Sequence, residues 1–85
     1  MFDNGGVPPP LNHAPPPDPP LRPMGQIPVI ARLLWTDGVE WVPALAIRWT
    51  QARVMVSWTD PAAGPLRTAY AWLPAEDVRR SIRRP

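Results

Sequence analysis

Side chains able to do covalent chemistry are few in this sequence. Cysteine is absent, and the single histidine, His13, lies in a proline-rich stretch where we expect it to be solvated. Ser57 and Ser81 have no neighbouring base in the sequence, so the pairing that nucleophilic acyl transfer requires is missing. Glu76 and Asp77 are adjacent and suit the first turn of a short helix, where acidic side chains are favoured. The residue types therefore predict no enzyme.

Bound cofactors are not indicated either. Asp37, Glu40 and Asp60 stand at turn positions, where acidic side chains are usually solvated. The sequence has no glycine-rich loop of the kind that cradles phosphate and no set of side chains with the spacing of a metal site. We expect no cofactor, no metal and no small-molecule substrate.

Non-covalent recognition is better represented, by five tryptophans and nine arginines. From Ile27 onward the chain carries eight arginines against five acidic residues, an excess of three positive charges. Half of these arginines cluster near the C-terminus, at Arg79, Arg80, Arg83 and Arg84. Together with tryptophans that stack on bases, such a cluster is typical of a nucleic-acid-binding surface. Its other interpretation is a solvated C-terminal face.

The N-terminal third of the chain is a separate segment. Ten prolines lie within residues 8–28, and proline fixes φ and removes a backbone donor, which excludes helices and central strands. An extended polyproline II arm is predicted over residues 1–26, either a linker or disordered arm or a recognition peptide. Pro17, Pro20 and Arg22 fit the P-x-x-P-x-Arg pattern that binds aromatic grooves and are candidate protein-binding residues.

Residues 27–85 are predicted to form one small all-β domain. Runs of β-branched and aromatic residues, separated by turn signals, indicate five short strands. They lie at about 27–36, 39–49, 53–60, 67–73 and after Val78. Asp37-Gly38 is typical of a hairpin turn, residues 60–65 are predicted to be a loop, and one helical turn is predicted to begin at Pro74.

The third predicted strand has the clearest alternation in the sequence. Val54, Val56 and Trp58 occupy one face, and Arg53 and Ser57 occupy the other. We expect the first face to point into the core. Strands at this spacing, with turns between them, favour a small barrel.

The second predicted strand differs, because both of its faces are apolar. Trp41 and Trp49 are expected to share the odd-numbered face with Leu45 and Ile47. An isolated small domain cannot bury both faces, so we expect a protein partner or a second copy to cover one side. Candidate protein-binding residues of the domain are Trp35, Trp41 and Trp49.

Three stretches resemble known small barrels. Residues 35–44 hold an aromatic-x-Asp-Gly hairpin and an aromatic second strand, and residues 54–60 hold alternating valines; together they resemble the opening of a Tudor-type barrel. Residues 72–78 are similar to the proline-led turn before the last strand of Src-homology-3-like (SH3-like) barrels. The resemblance implies a five-stranded SH3-like, Tudor-type barrel. The arginine-rich, lysine-free composition is also similar to that of small proteins of high-GC actinobacteria and their phages.

Tudor-type barrels commonly bind methylated lysine or arginine in a cage of aromatic rings. Carried over by position, the resemblance implies cage walls at Trp35, Trp41 and Trp58 and a polar member at Asp60. The sequence departs from the family pattern at Pro43, where a polar residue is usual. Tryptophans also suit the core of a small domain, so both interpretations stay open here.

Three non-enzymatic functions are therefore compatible with the residues. The first is an interaction or assembly module that uses the aromatic barrel face and the arm. The second is a nucleic-acid-binding accessory protein, and the third is a reader of modified side chains. No run of about 18 apolar residues and no signal-peptide pattern occurs, so we expect a soluble cytoplasmic protein, or a virion-associated one if its origin is a phage.

Overall fold

Five antiparallel strands and one short 3-10 helix make up the regular structure in a computed structural model of the chain. The structure describes residues 9–60 and 67–81. The strands are β1 (Ile27–Trp35), β2 (Gly38–Trp49), β3 (Arg53–Thr59), β4 (Thr68–Pro74) and β5 (Val78–Arg80), with the 3-10 helix Ala75–Asp77 between β4 and β5. No helix in these residues has the length and apolar character needed to cross a membrane.

The strands form a single sheet in the order β4-β3-β2-β1-β5. All five predicted strands are confirmed, with ends within two residues of the predicted ones, and so is the helical turn after Pro74. The sheet is open, so strand pairing does not produce the closed barrel that the resemblance implies. One physical reason is that β5 has only three residues and pairs only with residues 29–31 of β1, which leaves the rest of that strand's edge uncovered.

A two-residue loop joins β1 to β2. Trp35 lies opposite Gly38, and Thr36 and Asp37 form the turn. Gly38 therefore begins β2 instead of lying at the tip of the hairpin. Its φ is 144°, a conformation that side-chain-bearing residues rarely adopt, although a Cβ there would meet no atom within 4 Å. Glycine is needed at this position for its backbone freedom and not for space.

One face of the sheet carries the main core cluster, and Met55 and Trp72, which lie opposite each other on β3 and β4, are buried on the other face. Inward-pointing side chains alternate along the central strands, as the period of two requires. The largest of the fully buried side chains are Leu33, Val56 and Leu73. Trp58 is 7% exposed and belongs to the same cluster, with Val54 packed against it. The prediction that Val54, Val56 and Trp58 face one core is confirmed.

A β-bulge in β2 changes which residues face the core. The register between β2 and β3 shifts between Ala46 and Arg48, so Ile47 has no opposite residue on β3. The extra residue interrupts the alternation. Trp49 consequently lies opposite Val54 and packs against the core cluster. The prediction that Trp49 shares an outward face with Trp41 is wrong for this reason.

Candidate interaction surfaces

The outward side of β2 exposes three large apolar side chains. Val39 is 52% exposed, Trp41 is 46% exposed and Leu45 is 36% exposed. All three precede the bulge and alternate with the inward-facing residues of the strand. We call these three residues the Trp41 face. Exposed apolar side chains are common singly, but three along one strand form a patch.

Arginines of β5 border the Trp41 face. The guanidinium carbon of Arg79 lies 5.3 Å from the centroid of the Trp41 ring, within cation–π range. Trp41, Arg79, Arg80, Ile30 and Ser81 line a shallow pocket of about 460 Å³. The pocket therefore combines one aromatic ring with two exposed cations.

The other two tryptophans that the sequence suggests for protein binding lie elsewhere. Trp35 packs against the core, and its Nε1 donates a hydrogen bond to Glu40 Oε1 at 2.9 Å. Trp49 also packs against the core, because of the bulge. Of the three candidates, Trp41 alone is exposed, since both others are half-buried.

The four cage candidates do not line one site. Trp58 is buried on the inner face and borders a groove of about 460 Å³ beside Pro43 and Ser57, whereas Trp41 lies on the outer face. Neither groove includes Trp35 or Asp60 among its described lining residues. A cage needs its rings around one cation, and strand alternation sends Trp41 and Trp58 to opposite sides. Trp41 and Trp58 therefore are not walls of one common cage.

Residues 11–14 of the arm lie against the edge of β1 beyond the end of β5. We call these four residues the closing segment. Leu11 N donates to Leu34 O at 2.7 Å, and Leu34 N donates to Asn12 Oδ1 at 3.2 Å. Asn12 Nδ2 donates in addition to Arg32 O at 2.9 Å. The closing segment thereby satisfies backbone groups of β1 that β5 is too short to reach.

The closing segment also reaches the edge of β4. Ala14 N donates to Trp72 O at 2.8 Å, and Trp72 N donates to His13 Nδ1 at 2.9 Å. Four consecutive residues therefore bridge two strand edges that do not pair with each other. The expectation of a solvated His13 is wrong: its ring is half-buried, and burial lowers the pKa of the imidazole below 6.5.

Asp77 joins the arm to the sheet. It is 7% exposed, and no other charged residue in the described part of the chain is buried. Its Oδ1 accepts a hydrogen bond from Arg32 Nη1 at 3.0 Å, and its Oδ2 accepts one from Asn12 Nδ2 at 3.0 Å. A buried carboxylate is tolerated when it is paired in this way. Asp77 therefore holds Arg32 and Asn12 together, a role that its position in a helical turn does not reveal.

The C-terminal part of the arm is fixed to β2 at the bulge. Met24 N donates to Ile47 O at 2.7 Å, and Trp49 N lies 3.3 Å from Met24 Sδ. Arg48 Nη1 donates to Pro20 O at 3.3 Å. These contacts anchor the arm a second time, just before it enters β1.

The remaining predicted binding residues are distributed over separate surfaces. Pro17 and Arg22 are exposed, whereas Pro20 is half-buried and its carbonyl is bonded to Arg48 of the same chain. The arm is thus bonded to its own sheet at residues 11–14, Pro20 and Met24. Arg79 and Arg80 are exposed on β5. Arg83 and Arg84, the predicted loop at 61–65 and the first eight residues lie outside the described residues.

Sequence reasoning missed Asn12, His13 and Asp77. A signal for the first two exists in the arm. Proline has no N–H, so the backbone donors of the arm occur only where the proline runs are interrupted. The prolines are interrupted at residues 11–14, 18, 21–22 and 24–26. The backbone N–H groups of the arm that donate to the sheet belong to three residues in these interruptions, Leu11, Ala14 and Met24.

Comparisons with family models, with curated proteins and with solved structures gave no match. Within residues 9–60 and 67–81, no three His, Cys, Asp or Glu side chains are grouped so that they could hold a metal ion.

Proposed function

We propose that this chain is a non-enzymatic interaction module whose Trp41 face binds a protein. The observation that carries the proposal is the exposure of Val39, Trp41 and Leu45 along one strand of a domain whose core is otherwise well enclosed. Contiguous exposed apolar surface on a small domain commonly marks an interface. Covering it removes apolar area from water, which is favourable at about 25 cal/mol per Å².

The same proposal includes an SH3-like barrel as the finer description of the fold. Five antiparallel strands and a short helical turn before the last strand agree with the resemblance stated above. The bridge that the closing segment makes between β1 and β4 supports this description, because it connects two strands that do not pair with each other. Small barrels of this kind serve many functions, so the fold alone does not select one.

The chemistry of the Trp41 face restricts its partner. Tryptophan and arginine are the residue types that most often dominate binding energy, and Arg79 is already held over the Trp41 ring. Arg79 and Arg80 border the apolar patch on one side. A suitable partner has an apolar surface with a carboxylate at its margin, placed to meet the arginines.

A photo-crosslinking residue at Val39 tests the proposal, with the same residue at Gln51 as control because Gln51 is exposed in the turn between β2 and β3. A protein captured only through Val39 is then purified, and its Kd is measured by calorimetry. We expect Trp41→Ala to weaken binding at least tenfold. At low salt Arg79→Glu should weaken binding by more than Trp41→Ala does. Leu21→Ala, on an arm residue that is 85% exposed, is the matched control and should change nothing. Equal affinity of the wild type and the Trp41 variant would contradict the proposal.

Nucleic-acid binding is the second candidate function. It is favoured by one observation, the pocket in which Trp41 lies beside Arg79 and Arg80. A base stacked on the ring with its phosphates near both guanidinium groups would suit this arrangement. The test is a salt titration of single-stranded DNA binding. Replacing both arginines by glutamine should reduce the slope of log K against log salt by about 1.4. Absence of binding by the wild type at low salt would dismiss this function.

A further inference from the structure

The space between the edges of β1 and β4 is a binding site for an extended peptide. We call it the β1–β4 cleft, and the closing segment fills it. Its polar groups are the backbone of Leu34 and Trp72, the carbonyl of Arg32 and the carboxylate of Asp77. These groups recognise an extended backbone, an asparagine side chain and an imidazole acceptor. Nothing in that recognition requires the peptide to belong to the same chain.

We propose that the β1–β4 cleft also accepts the closing segment of a second copy of this chain, so that two copies exchange their arms. The site and its ligand are both encoded in one sequence, and an exchanged arm makes the same hydrogen bonds as an arm bound to its own sheet. The proposal concerns a surface separate from the Trp41 face and does not depend on the function proposed for that face.

The contacts of the closing segment favour its release. Leu11 is 64% exposed, so the segment does not bury its largest apolar side chain. It makes five hydrogen bonds to β1 and β4 and a sixth to Asp77. Segments held by few buried apolar contacts open at free energies well below that of global unfolding.

An empty cleft would in turn favour a new occupant. Leu34 and Trp72 would present unpaired backbone groups, and exposed strand edges of this kind pair readily with another chain. Asp77 would lose one of its two donors, Asn12 Nδ2, and keep the other, Arg32 Nη1. An unsatisfied buried acceptor is costly, so the open form is driven to rebind a closing segment. At high protein concentration the closing segment of another copy competes with the tethered one for the cleft.

The arm is long and stiff enough to reach that copy. If the bond from Arg48 to Pro20 also opens while Met24 stays bonded to Ile47, the free linker consists of residues 15–23, of which six are prolines. In polyproline II conformation nine residues span roughly 28 Å at about 3.1 Å each. The two shorter dimensions of the molecule are 27 Å and 24 Å. A released closing segment can therefore extend across one molecule to a neighbouring cleft.

Energy transfer between labelled full-length chains tests the exchange. The sequence lacks cysteine, so Leu21→Cys gives one labelling position on an exposed part of the arm. Donor-labelled and acceptor-labelled chains are mixed at several hundred micromolar and then followed during dilution. We expect transfer that develops slowly, and that falls at least fivefold when Asn12→Ala and His13→Ala are introduced together. Trp41→Ala, introduced alone, should leave the transfer unchanged.

A second measurement avoids any loss of folding in the arm variants. A free peptide of residues 9–16 is added to the mixture of otherwise unsubstituted labelled chains, and a peptide with both Asn12 and His13 replaced by alanine is the control. The first peptide should suppress transfer as it fills the cleft, and the control should not. No transfer at any concentration, or transfer that the peptide leaves intact, would overturn the exchange. Transfer abolished by Trp41→Ala would assign association to the Trp41 face instead.

Discussion

Asn12 donates a hydrogen bond to the carboxylate of Asp77 at 3.0 Å, although 65 positions separate the two residues in the sequence. The bond connects the proline-rich arm to the short helix that precedes the last strand. Through Asp77 it also connects the arm to Arg32 of β1. One buried carboxylate thus links the arm, the first strand and the C-terminal part of the domain, so the arm is part of the folded structure and not an appendage to it.

The first prediction concerns this link. Asn12→Ala removes two donated bonds and one accepted bond, and we expect the free energy of unfolding to fall by about 1–3 kcal/mol because Asp77 and Leu34 lose partners. Asp77→Ala should cost a similar amount. The double variant should cost less than the sum of the two single variants. Urea unfolding measures all three proteins, with Asp18→Ala, an exposed arm residue, as control. If the cost of the double variant equals the sum of the two single costs, the interaction between Asn12 and Asp77 is contradicted.

The second prediction concerns pH. Burial lowers the pKa of His13 below 6.5, and its Nδ1 must be unprotonated to accept the bond from Trp72 N. Below about pH 6.5 the unfolded chain therefore binds more protons than the folded chain. The free energy of unfolding consequently falls as the pH is lowered through that range. The contribution of neutral His13 to stability should be fully present above pH 6.5. It should be lost as the pH falls towards the lowered pKa of His13.

Urea midpoints between pH 5 and pH 8 measure this effect. His13→Ala should be less stable than the wild type above pH 6.5, and its midpoint should vary less between pH 6.5 and pH 5.5. Histidine is the side chain whose ordinary pKa lies in that interval, and this chain has only one. An unchanged slope in the variant would show that His13 is not the group responsible.

The third prediction separates core from surface tryptophans. Trp58 is 7% exposed and Trp41 is 46% exposed. Trp58→Ala should cost about 3–5 kcal/mol, because it leaves a cavity in the core. Trp41→Ala should cost less than about 1 kcal/mol and weaken binding instead, since the ring is half in solvent. Thermal unfolding of both variants provides the comparison. A Trp58 variant with an unshifted transition would contradict its core position.

The fourth prediction concerns the hairpin. Gly38→Ala should destabilise the domain by about 1–3 kcal/mol, because an alanine is forced into a backbone conformation that it rarely adopts. A steric clash is not the cause, since a Cβ there has no neighbour within 4 Å. Thr36→Ala, in the same exposed turn, is the matched control and should have little effect. Equal loss in both variants would assign the effect to the turn in general.

Much of the sheet could be predicted from the residues alone, because the physics that forms it is local. Alternation of side chains along β3 places Val56 and Trp58 on one face whatever lies beyond the strand. The glycine after Asp37 and the proline before the 3-10 helix restrict the backbone at their own positions. These signals act over a few residues, and the five strands, the hairpin and the helical turn follow from them.

The interaction surfaces depend on contacts between residues that are far apart in the sequence. The bulge at Ile47 arises from how β2 and β3 are registered, and it moves Trp49 to the core while Trp41 stays outside. The arm finds its partners on β1, β2 and β4, where strands are too short or too irregular to satisfy their own edges. Composition predicts an extended arm, because proline admits little else. Where that arm binds was decided by the backbone groups that the folded sheet left unpaired, and these exist only once the sheet has formed.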